Sequence, residues 1–217
     1  MFIVNYHNCA VSGEIMDVKK GTTTVGIISK DAVVIAAEQK STMGYMVDSK
    51  LAQKIYPLDD HIGLTIAGSV GDALAMIRLL KAQFKIYKLE RGPITLKAAA
   101  TLLSNILQGS KYFPYLNQFI LAGYDTHPGV YSFDPLGGFD VRDKYYSTGS
   151  GSPFAYGVLE AEFKENMTTE EATSLIIKAI KAAIERDIGS GGKEIQVAII
   201  NKDGFKELSP QEVKKYS

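Results

Sequence analysis

The chain has 217 residues and a formal net charge of zero, because 24 Lys and Arg residues balance 24 Asp and Glu residues. Its length suits one compact domain, and a hydrophobic fraction of 46% is ordinary for a globular protein. The neutral bulk charge predicts no binding to nucleic acid or to an anionic membrane, the single cysteine excludes an internal disulfide framework, and no apolar run reaches the roughly 18 residues that span a bilayer. We therefore expect a protein of the reducing cytoplasm.

Residues 1–21 have no clear periodicity and end in Lys-Lys-Gly. We interpret them as a leader or an arm; a short edge strand of the main domain is the alternative that remains open. The segment lacks the basic and continuous apolar regions of a secretory signal. Regular structure is predicted to begin after Gly21, at the three threonines Thr22, Thr23 and Thr24.

Predicted strands and helices follow one another in clusters along the chain. Two apolar, β-branched runs, TTTVGIIS and AVVIAAEQ, predict a hairpin whose strands are covered on both faces. Two short strands are predicted in KIYPLDDHIGLTIAGS, and then two helices with apolar residues at helical spacing, Leu79 among them. Strands return in QFILAGYD and GVYSFDPLGGFDVRDKYYSTGS. A third helix is predicted from near Pro153, a fourth after the capping box of Thr168 and Glu171, then a hairpin around Lys-Asp-Gly and a short terminal helix.

This order of elements indicates an α+β fold. Clustered rather than alternating strands and helices argue against a doubly wound parallel sheet. Strands that are apolar on both faces, together with two separate helix pairs, predict two sheets packed face to face with helices outside.

Most familiar catalytic motifs are missing from the sequence. It has no P-loop and no dinucleotide fingerprint, and His7, His61 and His127 are scattered without metal-binding spacing, so we predict no cofactor and no metal. A hydroxyl on the first residue of a chain needs none of these, because its own α-amino group, with a reference pKa of roughly 8, can accept the hydroxyl proton. The Gly21-Thr22 junction predicts such a cut, since glycine lacks a Cβ and permits strain at the scissile bond.

Five stretches of the sequence resemble the archaeal proteasome β subunit: GTTTVGI, DAVVIAAEQKSTMG, KIYPLDDHIGLTIAGSVGDA, STGSGSPFAYGVLE and IERDIGSGG. The resemblance covers nearly all of the chain after the leader. It implies an N-terminal nucleophile hydrolase fold, which is a four-layer αββα sandwich. It also implies that residues 1–21 are a propeptide removed by autocatalysis and that residues 22–217 are the catalytic domain of a threonine endopeptidase.

The resemblance also implies roles for individual residues. Thr22 is the implied nucleophile and forms an ester with the substrate, while Glu38 and Lys54 form a charge pair beside it that favours loss of the hydroxyl proton. The backbone N–H of Gly68 is the implied oxyanion donor, worth about 3 kcal/mol by analogy with other oxyanion holes. Three residues would hold and orient the new amine: Ser150, Asp187 and Ser190.

Substrate contacts are implied at four positions: Thr42, Ala52, Ile66 and Val70. Thr42 and Val70 would pair with the substrate backbone as an added strand, a mode that accepts many sequences. Ala52, Ile66 and Val70 would line the first specificity pocket. Because these side chains are small or apolar, we expect cleavage after apolar or aromatic residues.

The implied partners are other β subunits in a heptameric ring, proteasome α subunits, a regulatory ATPase acting through the α ring, and unfolded polypeptide substrates. A different class of function remains open, in which the chain is an uncut, inactive structural subunit of the β ring and another β subunit supplies activity. A small-molecule amidase of the same fold class is a third possibility, but the sequence shows no charged pocket for a small substrate. Intact Thr22, Glu38, Lys54 and Asp187 favour the enzyme.

Overall fold

The computed structural model describes residues 21–216 of the chain. The predicted leader, and with it the alternative of an edge strand, lies outside the described residues except for Gly21. In chain order the strands are β1 (Thr24–Ile28), β2 (Ala32–Glu38), β3 (Ser41–Met43), β4 (Met46–Ser49), β5 (Ile55–Asp59), β6 (Ile62–Gly68), β7 (Asn117–Tyr124), β8 (Pro128–Phe133), β9 (Phe139–Arg142), β10 (Tyr145–Thr148), β11 (Ile195–Asn201) and β12 (Gly204–Glu207). The helices are α1 (Val70–Arg91), α2 (Leu96–Gly109), α3 (Ser152–Glu162), α4 (Thr169–Arg186) and α5 (Pro210–Lys214).

Ten of these strands form two antiparallel sheets of five. The first sheet has the order β10-β1-β2-β11-β12, and the second runs β5-β6-β7-β8-β9. The strands β1 and β2 pair from Thr24 opposite Ala37 to Ile28 opposite Val33, as the predicted hairpin requires. This register places the end of β2 beside the residues that precede β1.

The two sheets pack face to face because alternate residues of β2 point to opposite sides. Val33 and Ile35 contact apolar residues of the second sheet, including Ile120. Val34 lies on the other face and packs with Ile176 of α4. The expectation that these strands are covered on both faces is confirmed.

Helices cover both outer faces and complete four layers. On the second sheet, α1 and α2 bury residues such as Leu80 and Leu103 against β6 and β7. On the first sheet, α3 and α4 do the same, and the capping box of Thr168 and Glu171 opens α4 as predicted. The αββα sandwich is therefore confirmed. No helix within residues 21–216 is long and apolar enough to cross a membrane.

Two sequence-based expectations differ from the structure. The short hairpin of β3 and β4 was not predicted; it stands outside both sheets and turns at Gly44, which has a φ of +61°. Leu79 was placed among the apolar residues of α1, but its side chain is 39% exposed. Its neighbour Leu80 is fully buried, because successive helical residues point about 100° apart and Leu79 lies at the edge of the face that α1 turns toward the sheet.

Candidate active site

The predicted catalytic residues come from the ends of separate elements that meet at one end of the sandwich. Thr22 lies two residues before β1, Glu38 is the last residue of β2 and Lys54 directly precedes β5. Ser150 follows β10, and Asp187 is the C-cap of α4. Glu38 therefore lies within a strand and the other four lie within two residues of the end of an element, so the packing of the elements brings these side chains together.

Lys54 makes three hydrogen bonds with its ammonium group. Its Nζ donates to Thr22 Oγ1 at 3.0 Å and to the backbone carbonyl of Lys40 at 2.6 Å. It also donates to Glu38 Oε1, with which it forms an ion pair. Lys54 is 5% exposed and Glu38 is fully buried, so the cation is held against the threonine hydroxyl with little exposure to water.

Glu38 is held in turn by the backbone. Its Oε2 accepts hydrogen bonds from the N–H groups of Lys40 (2.7 Å) and Gly191 (2.9 Å), and its Oε1 accepts from the N–H of Thr23 (3.3 Å). Burial raises the pKa of the Glu38 carboxyl and lowers the pKa of the Lys54 ammonium, while the attraction between the two charges opposes both shifts. An unpaired charge at this depth would be costly, so the two groups depend on each other.

A second group of polar side chains holds the nitrogen of Thr22. The N–H of Thr22 donates to Ser150 Oγ at 3.2 Å, and Ser150 Oγ donates to Asp187 Oδ2 at 2.6 Å. Ser190 Oγ donates to the same carboxylate oxygen, also at 2.6 Å. The other oxygen, Oδ1, accepts from the N–H of Gly189 at 3.2 Å. A carboxylate is unfavourable at the C-terminus of a helix, and these donors compensate for it.

The peptide bond that precedes Thr22 lies in a place where only glycine fits. A Cβ on Gly21 would come within 1.9 Å of the Cα of Gly189, a distance that no real pair of carbons adopts without van der Waals overlap. Thr22 Oγ1 donates a hydrogen bond to the carbonyl oxygen of Gly21 at 2.6 Å. The hydroxyl thus lies beside the carbonyl group of the preceding residue while also accepting from Lys54.

A cleft of about 340 Å³ opens beside Thr22. It is lined by the predicted oxyanion donor and by all four predicted substrate-contact residues, which are Gly68, Thr42, Ala52, Ile66 and Val70. Gly68 has a φ of +137°, and a Cβ there would meet the carbonyl oxygen of Leu116 at 2.1 Å, so its backbone geometry requires glycine. A larger groove of about 880 Å³ beside α1 contains none of the predicted site residues.

The structure therefore brings all the predicted site residues into one region, and it adds residues that the sequence did not indicate. Lys40 contributes its carbonyl to Lys54, and its Nζ donates to the carbonyl of Ile188 at 2.6 Å. Thr23 places its Oγ1 within 2.6 Å of Ser190 Oγ. The triple threonine was the only sequence signal for Thr23, and Lys40 gave none.

The three threonines have three different environments. Thr22 contacts the ion pair and Thr23 contacts the serine–carboxylate group. Thr24 Oγ1 lies 2.6 Å from Thr148 Oγ1 and 3.0 Å from Thr65 Oγ1, in a buried hydroxyl cluster between the sheets. Among residues 21–216, no group of three His, Cys, Asp or Glu side chains is arranged to hold a metal ion.

A threonine at the start of an αββα sandwich, contacted by a buried lysine, is the arrangement expected of the N-terminal nucleophile hydrolase class. Comparison with known proteins narrows this class to one family. The pattern described as "Proteasome subunit" matches residues 18–200, and the chain belongs to this family.

Curated relatives agree over nearly the whole chain. It is 51% identical to "Proteasome subunit beta" of Methanocaldococcus vulcanius over 203 residues, which cover 92% of this chain and 91% of the relative. It is 47% identical to the protein of the same name from Methanosarcina thermophila, covering 90% and 93%. "Proteasome subunit beta 1" of Thermococcus sibiricus is 48% identical, covering 92% and 96%. The resemblance to an archaeal proteasome β subunit is confirmed.

Proposed function

We propose that this chain is an active threonine endopeptidase subunit of the proteasome core particle, with Thr22 as the nucleophile after the Gly21–Thr22 bond is cut. The contact between Lys54 Nζ and Thr22 Oγ1, 3.0 Å long and inside a buried ion pair, is the observation that supports this function most strongly. A strand-forming threonine needs no such cation. A buried ammonium beside a hydroxyl stabilises the alkoxide form, which is the nucleophile.

Leader removal starts from the geometry of the uncut junction. Thr22 Oγ1 bonds to the carbonyl carbon of Gly21, and the carbon–nitrogen bond of the peptide then breaks, leaving an ester. The hydroxyl proton ends on the freed nitrogen of Thr22. Water hydrolyses the ester, so the leader departs with a new carboxylate and Thr22 becomes a chain terminus with a free amine.

Peptide hydrolysis then repeats the same chemistry on a substrate. The amine of Thr22 takes the hydroxyl proton, directly or through one water, while Lys54 stabilises the oxygen that attacks. The N–H of Gly68 lies in the wall of the same cleft and serves as the oxyanion donor. The proton moves to the leaving amine, and water releases the acyl group from Thr22.

The cleft suits extended polypeptide. Thr42 and Val70 both line the cleft, on the β3 strand and at the start of α1, where an added strand can pair with backbone groups. Ala52 and Ile66 present small or apolar surface near Thr22. We expect unfolded proteins as substrates, with cleavage after apolar or aromatic residues.

Assembly into a closed particle would separate a protease of broad specificity from the other proteins of the cell. The chain is proposed to form a heptameric ring with other β subunits, to stack on α subunits, and to receive substrate through a regulatory ATPase on the α ring, in the cytoplasm. No cofactor takes part. The competing proposal, an uncut structural subunit, predicts that the leader stays attached in the assembled particle.

Intact mass measurement of the assembled subunit separates the two proposals. Loss of the mass of residues 1–21 supports the enzyme, and the full-length mass supports the structural role. Thr22→Ala should abolish both leader removal and hydrolysis of an apolar fluorogenic peptide, whereas the matched variant Thr22→Ser, which keeps a hydroxyl, should retain both in part. Hydrolysis by the Ala variant at the wild-type rate would refute Thr22 as the nucleophile.

A further inference from the structure

Thr23 connects the two polar groups that flank Thr22. Its backbone N–H donates to Glu38 Oε1 at 3.3 Å, on the side of the ion pair. Its hydroxyl lies 2.6 Å from Ser190 Oγ, on the side of the carboxylate. Both Thr23 and Ser190 are buried, at 0% and 4% exposure, so bulk water does not replace this contact.

The direction of each hydrogen bond in this region follows from the number of protons available. Ser190 has one hydroxyl proton, and it goes to Asp187 Oδ2, since a carboxylate oxygen can only accept. Ser190 Oγ must then accept from Thr23, which makes Thr23 Oγ1 the donor of the 2.6 Å contact. Ser150 likewise gives its proton to Asp187 Oδ2, so its oxygen accepts from the nitrogen of Thr22.

These bonds form a single ordered chain in which every hydroxyl points toward Asp187. The other contact of Ser150 with Thr22, to the carbonyl oxygen at 3.5 Å, is too long to compete with the 2.6 Å bond to the carboxylate. Held in this way, Ser150 can only accept from the Thr22 nitrogen. After cleavage, one N–H of the amine points to Ser150, which restricts the directions left to the second N–H and to the nitrogen lone pair that accepts the hydroxyl proton.

The shape of the fold also fixes Thr23 in this role. A Cβ on Gly151 would lie 2.0 Å from Thr23 Oγ1, so the backbone after Ser150 closes over the hydroxyl. A side chain confined in this way has little freedom to find another partner.

We propose that Thr23 is a positioning residue for the peptidase: by donating to Ser190, its hydroxyl keeps the Ser190 proton on Asp187 and so helps hold the carboxylate that, through Ser150, orients the amine of Thr22. The inference rests on the proposed function, because it concerns an amine that exists only after Thr22 is exposed. Without the Thr23 donor, Ser190 can rotate its hydroxyl proton away from Asp187. The Asp187 carboxylate is then held by one hydroxyl, that of Ser150, instead of two.

The test compares Thr23→Val, which keeps the shape but loses the hydroxyl, with Thr23→Ser, which keeps the hydroxyl. For the full chain in its assembled particle, we expect Thr23→Val to lower kcat per processed subunit about tenfold with KM unchanged, the effect of losing about one buried hydrogen bond in the transition state. Thr23→Ser should recover kcat to within about threefold of the wild type. The matched control is Thr173→Val, which removes the hydroxyl of a fully buried threonine that bonds to Thr169 within α4.

A double-variant cycle adds a check that does not depend on packing. In a Ser190→Ala background, Thr23→Val should lower kcat by less than about twofold further, because the two act through the same bond. If Thr23→Val is cut too slowly to give processed subunits, the rate of leader removal replaces kcat as the measured quantity, since Ser150 contacts the same nitrogen before cleavage.

Three outcomes overturn the inference: Thr23→Val with wild-type kcat, Thr23→Ser no better than Thr23→Val, or additive effects in the cycle. If the wild type hydrolyses peptide and Thr22→Ala does not, any of these results refutes the role of Thr23 alone. If the wild type shows no hydrolysis that depends on Thr22, the proposed function fails and the role of Thr23 fails with it.

Discussion

Replacing Gly21 by alanine tests whether the geometry of the uncut junction controls leader removal. The added Cβ would lie 1.9 Å from the Cα of Gly189, and ordinary contact begins at 3.4 Å, so the two segments must separate by 3.4 − 1.9 = 1.5 Å. Neither segment can yield easily, because a Cβ has no rotatable bond of its own, the atom that it meets is backbone, and Gly189 lies in a turn closed by the bond from the Ser190 N–H to the Asp187 carbonyl. A misplacement of about 1 Å in a reacting group can slow a reaction about 100-fold, and we expect at least that loss in the rate of cleavage.

The assay follows the mass of the subunit over time after assembly. In the proposed cleavage residue 21 leaves with the leader, so processed wild-type and Gly21→Ala particles are chemically identical and should have the same activity per processed subunit. Gly157→Ala, where a Cβ meets nothing within 4 Å, is the control and should be cut at the wild-type rate. Gly189→Ala should also slow cleavage, since its Cβ would lie 2.2 Å from Gly21. Cleavage of Gly21→Ala within about threefold of the wild-type rate would show that the close approach does not matter.

Three further predictions concern the charged groups around Thr22. Lys54→Met leaves Glu38 buried without its cation and should lower the free energy of unfolding by about 3–5 kcal/mol in denaturant titrations. Adding Glu38→Gln should restore most of that stability without restoring activity. A double variant no more stable than Lys54→Met would contradict the pairing of the two charges. In processed Glu38→Gln alone, Lys54 loses the attraction of the Glu38 charge, which opposes the lowering of its pKa by burial. The pKa of Lys54 should therefore fall further, and activity should decline at a lower pH than in the wild type as the pH is raised. An unmoved alkaline limb of the pH profile would assign that limb to another group. Lys40→Met removes the bond to the Ile188 carbonyl and should speed amide exchange in the loop after α4 about fivefold, as loss of about 1 kcal/mol implies, and unchanged exchange would show that this bond does not hold the loop.

Much of the fold could be predicted because periodicity and capping are local signals. The run AVVIAAE has apolar residues at six of the seven positions that β2 buries, the seventh being Glu38 of the site, and Thr168 with Glu171 marked the start of α4 correctly. The hairpin of β3 and β4 could not be found in this way, since its strands are short and four of their residues are exposed, leaving no buried face to produce a pattern. Leu79 and Leu80 are equally apolar, and only the placement of α1 on the sheet decides which one is buried.

Less of the candidate site than of the fold could be predicted from local sequence patterns. Residue chemistry alone indicated the cut before Thr22, whereas the partners Lys54, Ser150 and Asp187 followed from the resemblance to a family. Thr22 and Ser150 are 128 positions apart, and their contact depends on how β1 pairs with β10. Thr23 was visible as part of a triplet, but the partner of a hydroxyl is set by packing, which no spacing rule predicts.

The hydrogen bond between Thr22 Oγ1 and the Gly21 carbonyl has a kinetic consequence. In the proposed cleavage both reacting groups belong to adjacent residues of one chain, so their encounter requires no diffusion and is equivalent to a very high effective molarity, on the order of 10⁵–10⁸ M for well-oriented groups. Cleavage by this route is first-order in the chain. Dilution can therefore delay only the steps in which chains meet, and a mixture of active and Thr22→Ala chains should leave the inactive ones uncut.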